Sequence, residues 1–166
     1  SNWKNRHTGL LVDAEHPDAD VNALEMEQAA QFAVENMKSD ERSNWNNLPF
    51  VTVDGENTKD FDDAVYVAPR SDGGWQVRVA IADVSSLVAI GSQLDVSAQA
   101  RGATVYLPGD VRPMFPSYLS DGACSLIEGQ ERNVLGVRVN FNKVGEMIGE
   151  PEFALTKVNV VARLSY

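Results

Sequence analysis

Apolar and polar residues alternate along "WQVRVAIAD" (75–83), with Trp75, Val77, Val79 and Ile81 facing opposite Gln76 and Arg78. That period of two is the mark of a β-strand. "PFVTV" (49–53) and "DAVYVAP" (63–69) read as strands too, and the turn "RSDGG" joins 63–69 to 75–83 as a β-hairpin. Further strands are predicted over "ATVYLP" (103–108), "RNVLGVRVNFN" (132–142), "EMIGEPEFALT" (146–156) and "KVNVVARLSY" (157–166), with Gly145 at a turn. A loop carrying Pro108, Pro113 and Pro116 follows 103–108, and "GLLV" (9–12) offers a strand in an otherwise irregular start.

Helical spacing appears from Val21 to about Lys38, where Met26, Ala30, Val34 and Ala29, Ala33, Met37 fall on adjoining stripes. Pro17 and Asp20 supply an N-cap for this amphipathic, surface-packed helix. "QLDVSAQARG" (93–102) reads as a short helix closed by Gly102, and "SDERSNWNN" (39–47) as a polar connector. Hairpin-joined strands with two or three helices predict an α+β fold built on a largely antiparallel or mixed sheet. Residues 1–47 form a lead-in segment and 48–166 the main folded portion.

At 166 residues the chain suits one domain with a proper core. A 43% hydrophobic and 23% charged composition is that of an ordinary globular protein, and no apolar run reaches the length of a membrane span. The lone cysteine, Cys124, excludes an internal disulfide and fits a reducing compartment, so a cytoplasmic location is expected. The ends, "SN" and the strand-like "VVARLSY", lead us to expect a piece of a longer polypeptide. A net charge of −10 counts against a domain that grips nucleic acid by itself. Action on a polyanion then needs a cation, or other domains, to do the gripping.

Between two strands, "VTVDGENTKDFDDAVYV" (51–67) gathers Asp54, Asp60, Asp62 and Asp63. Two carboxylates ~5 Å apart repel by about 1 kcal/mol in water and by several times more in a shielded cleft. Asp60 and Asp62 share one face of an extended segment, and Gly55 permits a bend that lets all four converge. Oxygen donors suit Mg²⁺, Mn²⁺ or Ca²⁺. An EF-hand counted from Asp54 fails, with Thr58 at position five, Lys59 at six and Val65 at twelve. On spacing alone three readings stay open: a solvated acidic turn, an irregular structural Ca²⁺ site, and a catalytic Mg²⁺ cluster for phosphoryl chemistry.

"LPFVTVDGENTKDFDDAVYV" resembles the opening of the catalytic domain of the ribonuclease II / ribonuclease R (RNB) family of 3′→5′ exoribonucleases. The resemblance continues through "VRVAIADVSSLV" (77–88), "LDVSAQARGATVYLPGDVRPMFPSYLSDGACSLIEGQERNVLGVRV" (94–139) and "ARLSY", covering about 48–166. It implies that 48–166 is the N-terminal portion of an RNB catalytic domain. It implies hydrolysis of single-stranded RNA to nucleoside 5′-monophosphates with Mg²⁺ (Mn²⁺ a substitute); no membrane partner is expected, from the lack of a spanning apolar run. Asp54, Asp60, Asp62 and Asp63 match the family's four metal-site aspartates. Tyr106 matches a tyrosine that packs against nucleotides near the RNA 3′ end, and Tyr166 a second tyrosine lining the site.

Other residues receive structural expectations. Asp83 braces the site or serves a turn, Arg101 and Arg132 support the fold or a phosphate, and Cys124 is core. Met114-Phe115-Pro116 stands where the family has Met-Leu-Pro, a packing change, and His7 and His16 are surface residues. The resemblance also implies RNA-binding domains and a further stretch of catalytic domain, with a transition-state arginine, that these 166 residues lack. Alone, the chain is therefore expected to be weakly active or inactive, and to self-associate through exposed sheet edges. The alternatives are a non-catalytic, metal-stabilised interaction module of the same family and a structural Ca²⁺-binding domain.

Overall fold

Even-numbered positions of the main strands turn inward, and the fold follows from that parity. The computed structural model describes residues 18–108 and 110–166. Its strands are β1 (Ser43–Asn44), β2 (Phe50–Asp54), β3 (Asp63–Pro69), β4 (Trp75–Ala82), β5 (Val105–Leu107), β6 (Asp110–Arg112), β7 (Glu131–Phe141) and β8 (Met147–Ser165). Helices α1 (Asp18–Glu35) and α2 (Gln93–Arg101) accompany a 3₁₀ turn at Val84–Ser86 and a π-helical turn at Tyr118–Ala123. This is the expected α+β fold with a mixed sheet.

Strands β2, β3, β4 and β7 pair antiparallel in that order, and β7 pairs antiparallel with β8. Beyond that pairing β8 runs parallel to β2, so the ladder closes into a ring. Inside it Phe50, Ala64, Ala80, Val134, Val158 and Val160 are buried. Small residues make room for large ones. A Cβ on Gly136 would lie 2.4 Å from the Trp45 ring. Trp45 stacks on Phe50 at 6.0 Å between centroids, and the Arg78 guanidinium sits 4.7 Å above it. The apolar positions of β4 therefore form the outer face: Trp75 and Ile81 are 49% and 44% exposed. Register aligns Ile81 with Leu135 and Leu135 with Leu155, so the exposed apolar surface of the ring is this outer face.

Four local expectations change. The segments 146–156 and 157–166 form one strand, because Thr156, Val158 and Val160 keep the inward parity without a break. Gly149 (φ +72°) and Pro151 lie where the β7–β8 register shifts, so the residue lacking an N–H falls at the irregularity. Part of the polar connector becomes β1, parallel to β8, with Thr156 Oγ1 donating to Ser43 O at 2.8 Å. The proline loop holds β6, paired with β5 as a small second sheet. Helix α1 already includes Asp18, the first described residue, which places Asp20 inside it instead of at its cap, and it ends at Glu35. The 9–12 strand, Pro17, His7 and His16 lie outside the described residues.

Helix α2 forms as expected, with Ser92 Oγ accepting from Asp95 N and Gly102 (φ +74°) ending it. Helix α1 packs Met26 and Ala30 against Leu94, Leu119 and Cys124. Its Glu27 carboxylate accepts from Ser117 N (2.7 Å), Ser117 Oγ (2.9 Å) and Tyr118 N (3.0 Å). Glu27→Ala is expected to lower stability by about 1 kcal/mol. It should also speed amide exchange at Ser117 and Tyr118; unchanged exchange at both would show that α1 is held by its apolar face alone.

Candidate metal and substrate site

The four aspartates sit at one rim of the ring because β2 ends at Asp54 and β3 begins at Asp63. Asp60 and Asp62 lie on the connection between them. A turn closed by Thr58 N donating to Gly55 O starts that connection. Phe61, buried in the core, anchors its middle. The fully buried Ser125 fastens it from beneath: its Oγ accepts from Phe61 N (3.0 Å) and donates to Lys59 O (2.7 Å). Leu126 N donates to Phe61 O at 2.9 Å. The backbone on either side of Asp60 is thus tied to the core through Lys59 O, Phe61 N and Phe61 O.

The carboxylates feel one another. Loss of solvation, then Asp63 and Asp60, push the Asp54 carboxyl above the ordinary range, with Arg163 opposing them. Asp62 is raised first by loss of solvation and then by Asp60, Asp63 and Asp54. Among the described residues, no group of three or more acidic, His or Cys side chains is arranged to hold a metal ion. The donors are nonetheless all carboxylate oxygens, the set that suits a hard divalent cation.

Tyr106, on β5, reaches this group: its hydroxyl donates to Asp60 Oδ2 at 2.9 Å, a bond that raises the phenol above its usual value. Tyr106 is 66% exposed. Tyr166 follows Ser165, which pairs with Asp54 across the β2–β8 ladder, and is 90% exposed. The structure therefore places the four aspartates at one rim, near enough for their charges to act on one another, with Tyr106 on Asp60, while Tyr166 follows the strand residue that pairs with Asp54.

The remaining residues are structural. Asp83 pairs with Arg42 (2.7 Å) and stands at the start of the 3₁₀ turn. Arg101 donates to Pro113 O, and Arg132 to the Ser125 and Gly122 carbonyls. Burial pushes the Cys124 thiol up to about 11, which makes it inert core. Two residues of the site escaped the sequence reading, Ser125 and Arg163. Each lies in a stretch that carries the resemblance, "GACSL" and "ARLSY", but nothing in the residue pattern gives either a role.

Comparison with known proteins matches residues 42–166 to the RNB domain. The chain is 45% identical over 124 residues to Exoribonuclease 2 of Mannheimia succiniciproducens, covering 72% of this chain and 19% of that protein. It is 48% identical over 118 residues to Exoribonuclease 2 of Aeromonas hydrophila, covering 71% and 17%. Among solved structures, Mycoplasma genitalium RNase R in complex with ribose-methylated single-stranded RNA superposes with a TM-score of 0.77 at 33% identity, covering 84% of this chain and 22% of that one. The chain thus spans less than a quarter of the length of each of these proteins.

Proposed function

The chain belongs to the RNB family, and on that footing we propose that it forms the metal-holding part of a 3′→5′ exoribonuclease. The reaction is Mg²⁺-assisted hydrolysis of single-stranded RNA to nucleoside 5′-monophosphates. One observation supports this: Asp54, Asp60, Asp62 and Asp63 lie at one rim of the ring, where lost solvation and the neighbouring charges raise the carboxyls of Asp54 and Asp62, with the Tyr106 hydroxyl on Asp60. These four carboxylates are the ligands, and Mn²⁺ substitutes for Mg²⁺. When bound, a hard divalent cation supplies Lewis-acid charge toward a phosphodiester.

The chain's own residues do the rest. Tyr106 fixes the orientation of Asp60 through its hydroxyl and leaves an exposed ring for a base to stack on. Tyr166, which follows the Ser165 that pairs with Asp54, offers a second exposed ring. With a net charge of −10, grip on RNA comes through the ion and through parts of a longer protein. By itself the chain is weakly active or inactive.

Mn²⁺ binding followed by EPR tests this, with Mg²⁺ and Ca²⁺ as competitors and Asp62→Asn/Asp63→Asn as the control. Binding that Mg²⁺ displaces and the variant loses is the expected result. Competition by Ca²⁺ alone would mark a structural calcium site. Absence of Mn²⁺ binding to the unaltered chain would remove the reading for these 166 residues.

A further inference from the structure

Arg163 lies where the aspartate-bearing loop crosses the end of β8. Its Nη2 donates to two successive carbonyls, Gly55 O at 2.9 Å and Glu56 O at 2.5 Å. Its guanidinium carbon stands 4.9 Å from the centroid of the Phe61 ring. One side chain therefore grips both ends of residues 55–61. Strand register puts it there, since Arg163 pairs with Thr52 and Ser165 with Asp54 in the parallel β2–β8 ladder. Its own backbone is tied as well, Arg163 N donating to Glu128 Oε2 at 3.3 Å. The loop is fastened from the core by Ser125 and from the outside by Arg163.

We propose that Arg163 is a positioning residue for divalent-cation binding, holding residues 55–61 against β8 so that the loop bearing Asp60 and leading into Asp62 and Asp63 keeps its place beside Asp54. This rests on the metal role assigned above to the four aspartates. Charge alone argues the other way: a fixed guanidinium beside the carboxylates repels an incoming cation. A geometric role outweighs that repulsion only if the loop loses its ligating arrangement without the clamp. The two effects have opposite signs, so one titration separates them.

The test is Mn²⁺ affinity by EPR for the unaltered chain, Arg163→Gln, Arg163→Lys and Asp62→Asn, with amide exchange recorded at Thr58, Phe61 and Leu126. Arg163→Gln is expected to weaken Mn²⁺ binding by about tenfold, the scale on which residues that orient metal ligands act. Arg163→Lys, which keeps the charge but not the fork or the flat stacking surface, should not restore it. Exchange at Thr58 and Phe61 should quicken in both Arg163 variants while the β4–β7 amides stay protected. Unchanged or tighter Mn²⁺ binding in Arg163→Gln overturns the proposal, because charge relief is then the dominant effect. Should the unaltered chain bind no Mn²⁺, the metal role falls and this proposal with it, and quickened loop exchange in the Arg163 variants would then mark Arg163 as a structural clamp alone.

Discussion

Arg42→Met is expected to lower the unfolding free energy by about 3 kcal/mol, the low end of what breaking a buried ion pair costs. The Arg42 and Asp83 side chains are 2% and 7% exposed, with Nη2 donating to Asp83 Oδ2 at 2.7 Å. Arg42 Nε also donates to Asp40 Oδ1 at 2.6 Å. Asp83 ties several elements together: its N–H donates to Asn133 O on β7, and its carbonyl accepts from Ser86 N at the end of the 3₁₀ turn. Arg42 thus locks the segment ahead of β1 onto the exit of β4. With Met at 42, the Asp83 carboxylate keeps, among the described residues, only the Ser85 hydroxyl, at 2.5 Å, as a charge-stabilising side-chain donor. An uncompensated buried charge is the main source of the loss. Arg42→Met/Asp83→Asn removes that charge and is expected to recover about half of the stability. Urea unfolding at neutral pH measures both, as a lowered midpoint with an unchanged slope. A single variant within about 0.5 kcal/mol of the unaltered chain would show that the pair is as dispensable as a surface ion pair.

Much of the architecture was readable from local pattern. Strand β3 runs Asp63–Pro69 as expected because charge bounds it on one side and the Asp72–Gly74 turn on the other, where Asp72 Oδ1 accepts from Gly74 N. Closure of the ring was not readable. It depends on β8 pairing with β7 and then with β2, whose residues lie roughly a hundred positions away, and no local period encodes such a pairing. Pattern also misleads about which face is core. Ala64, Ala80 and Gly136 look weakly hydrophobic, yet they point inward because Trp45 and Phe50 already fill the space. In the site, the density of aspartates was visible as unexplained charge, and resemblance gave it a role. Ser125 and Arg163 stayed hidden because they act on main-chain N–H and C=O groups, contacts that leave no mark on residue type or spacing.

The aspartates yield the second large effect, one that changes sign with the ion. Without divalent cation at neutral pH, Asp62→Asn should be more stable than the unaltered chain by about 1 kcal/mol, the scale of relieving one carboxylate from its neighbours at a solvated rim. Asp62 and Asp54 have carboxyls raised above their ordinary value of 3.8. Their contribution to stability is therefore fullest below that ordinary value and is lost as pH rises through the raised ones. The advantage of Asp62→Asn should accordingly be complete at neutral pH and vanish once the medium is more acid than 3.8. Adding Mg²⁺ at about 100 times its dissociation constant stabilises a binding-competent fold by about 2.7 kcal/mol and a non-binding variant by nothing. The order of the two melting curves should then invert, the unaltered chain unfolding last. Thermal melts with EDTA and with Mg²⁺ measure the crossing directly. Parallel curves in both conditions would mean that the repulsion is real but that no ion is held here, because relief of charge needs only the substitution whereas inversion needs the site.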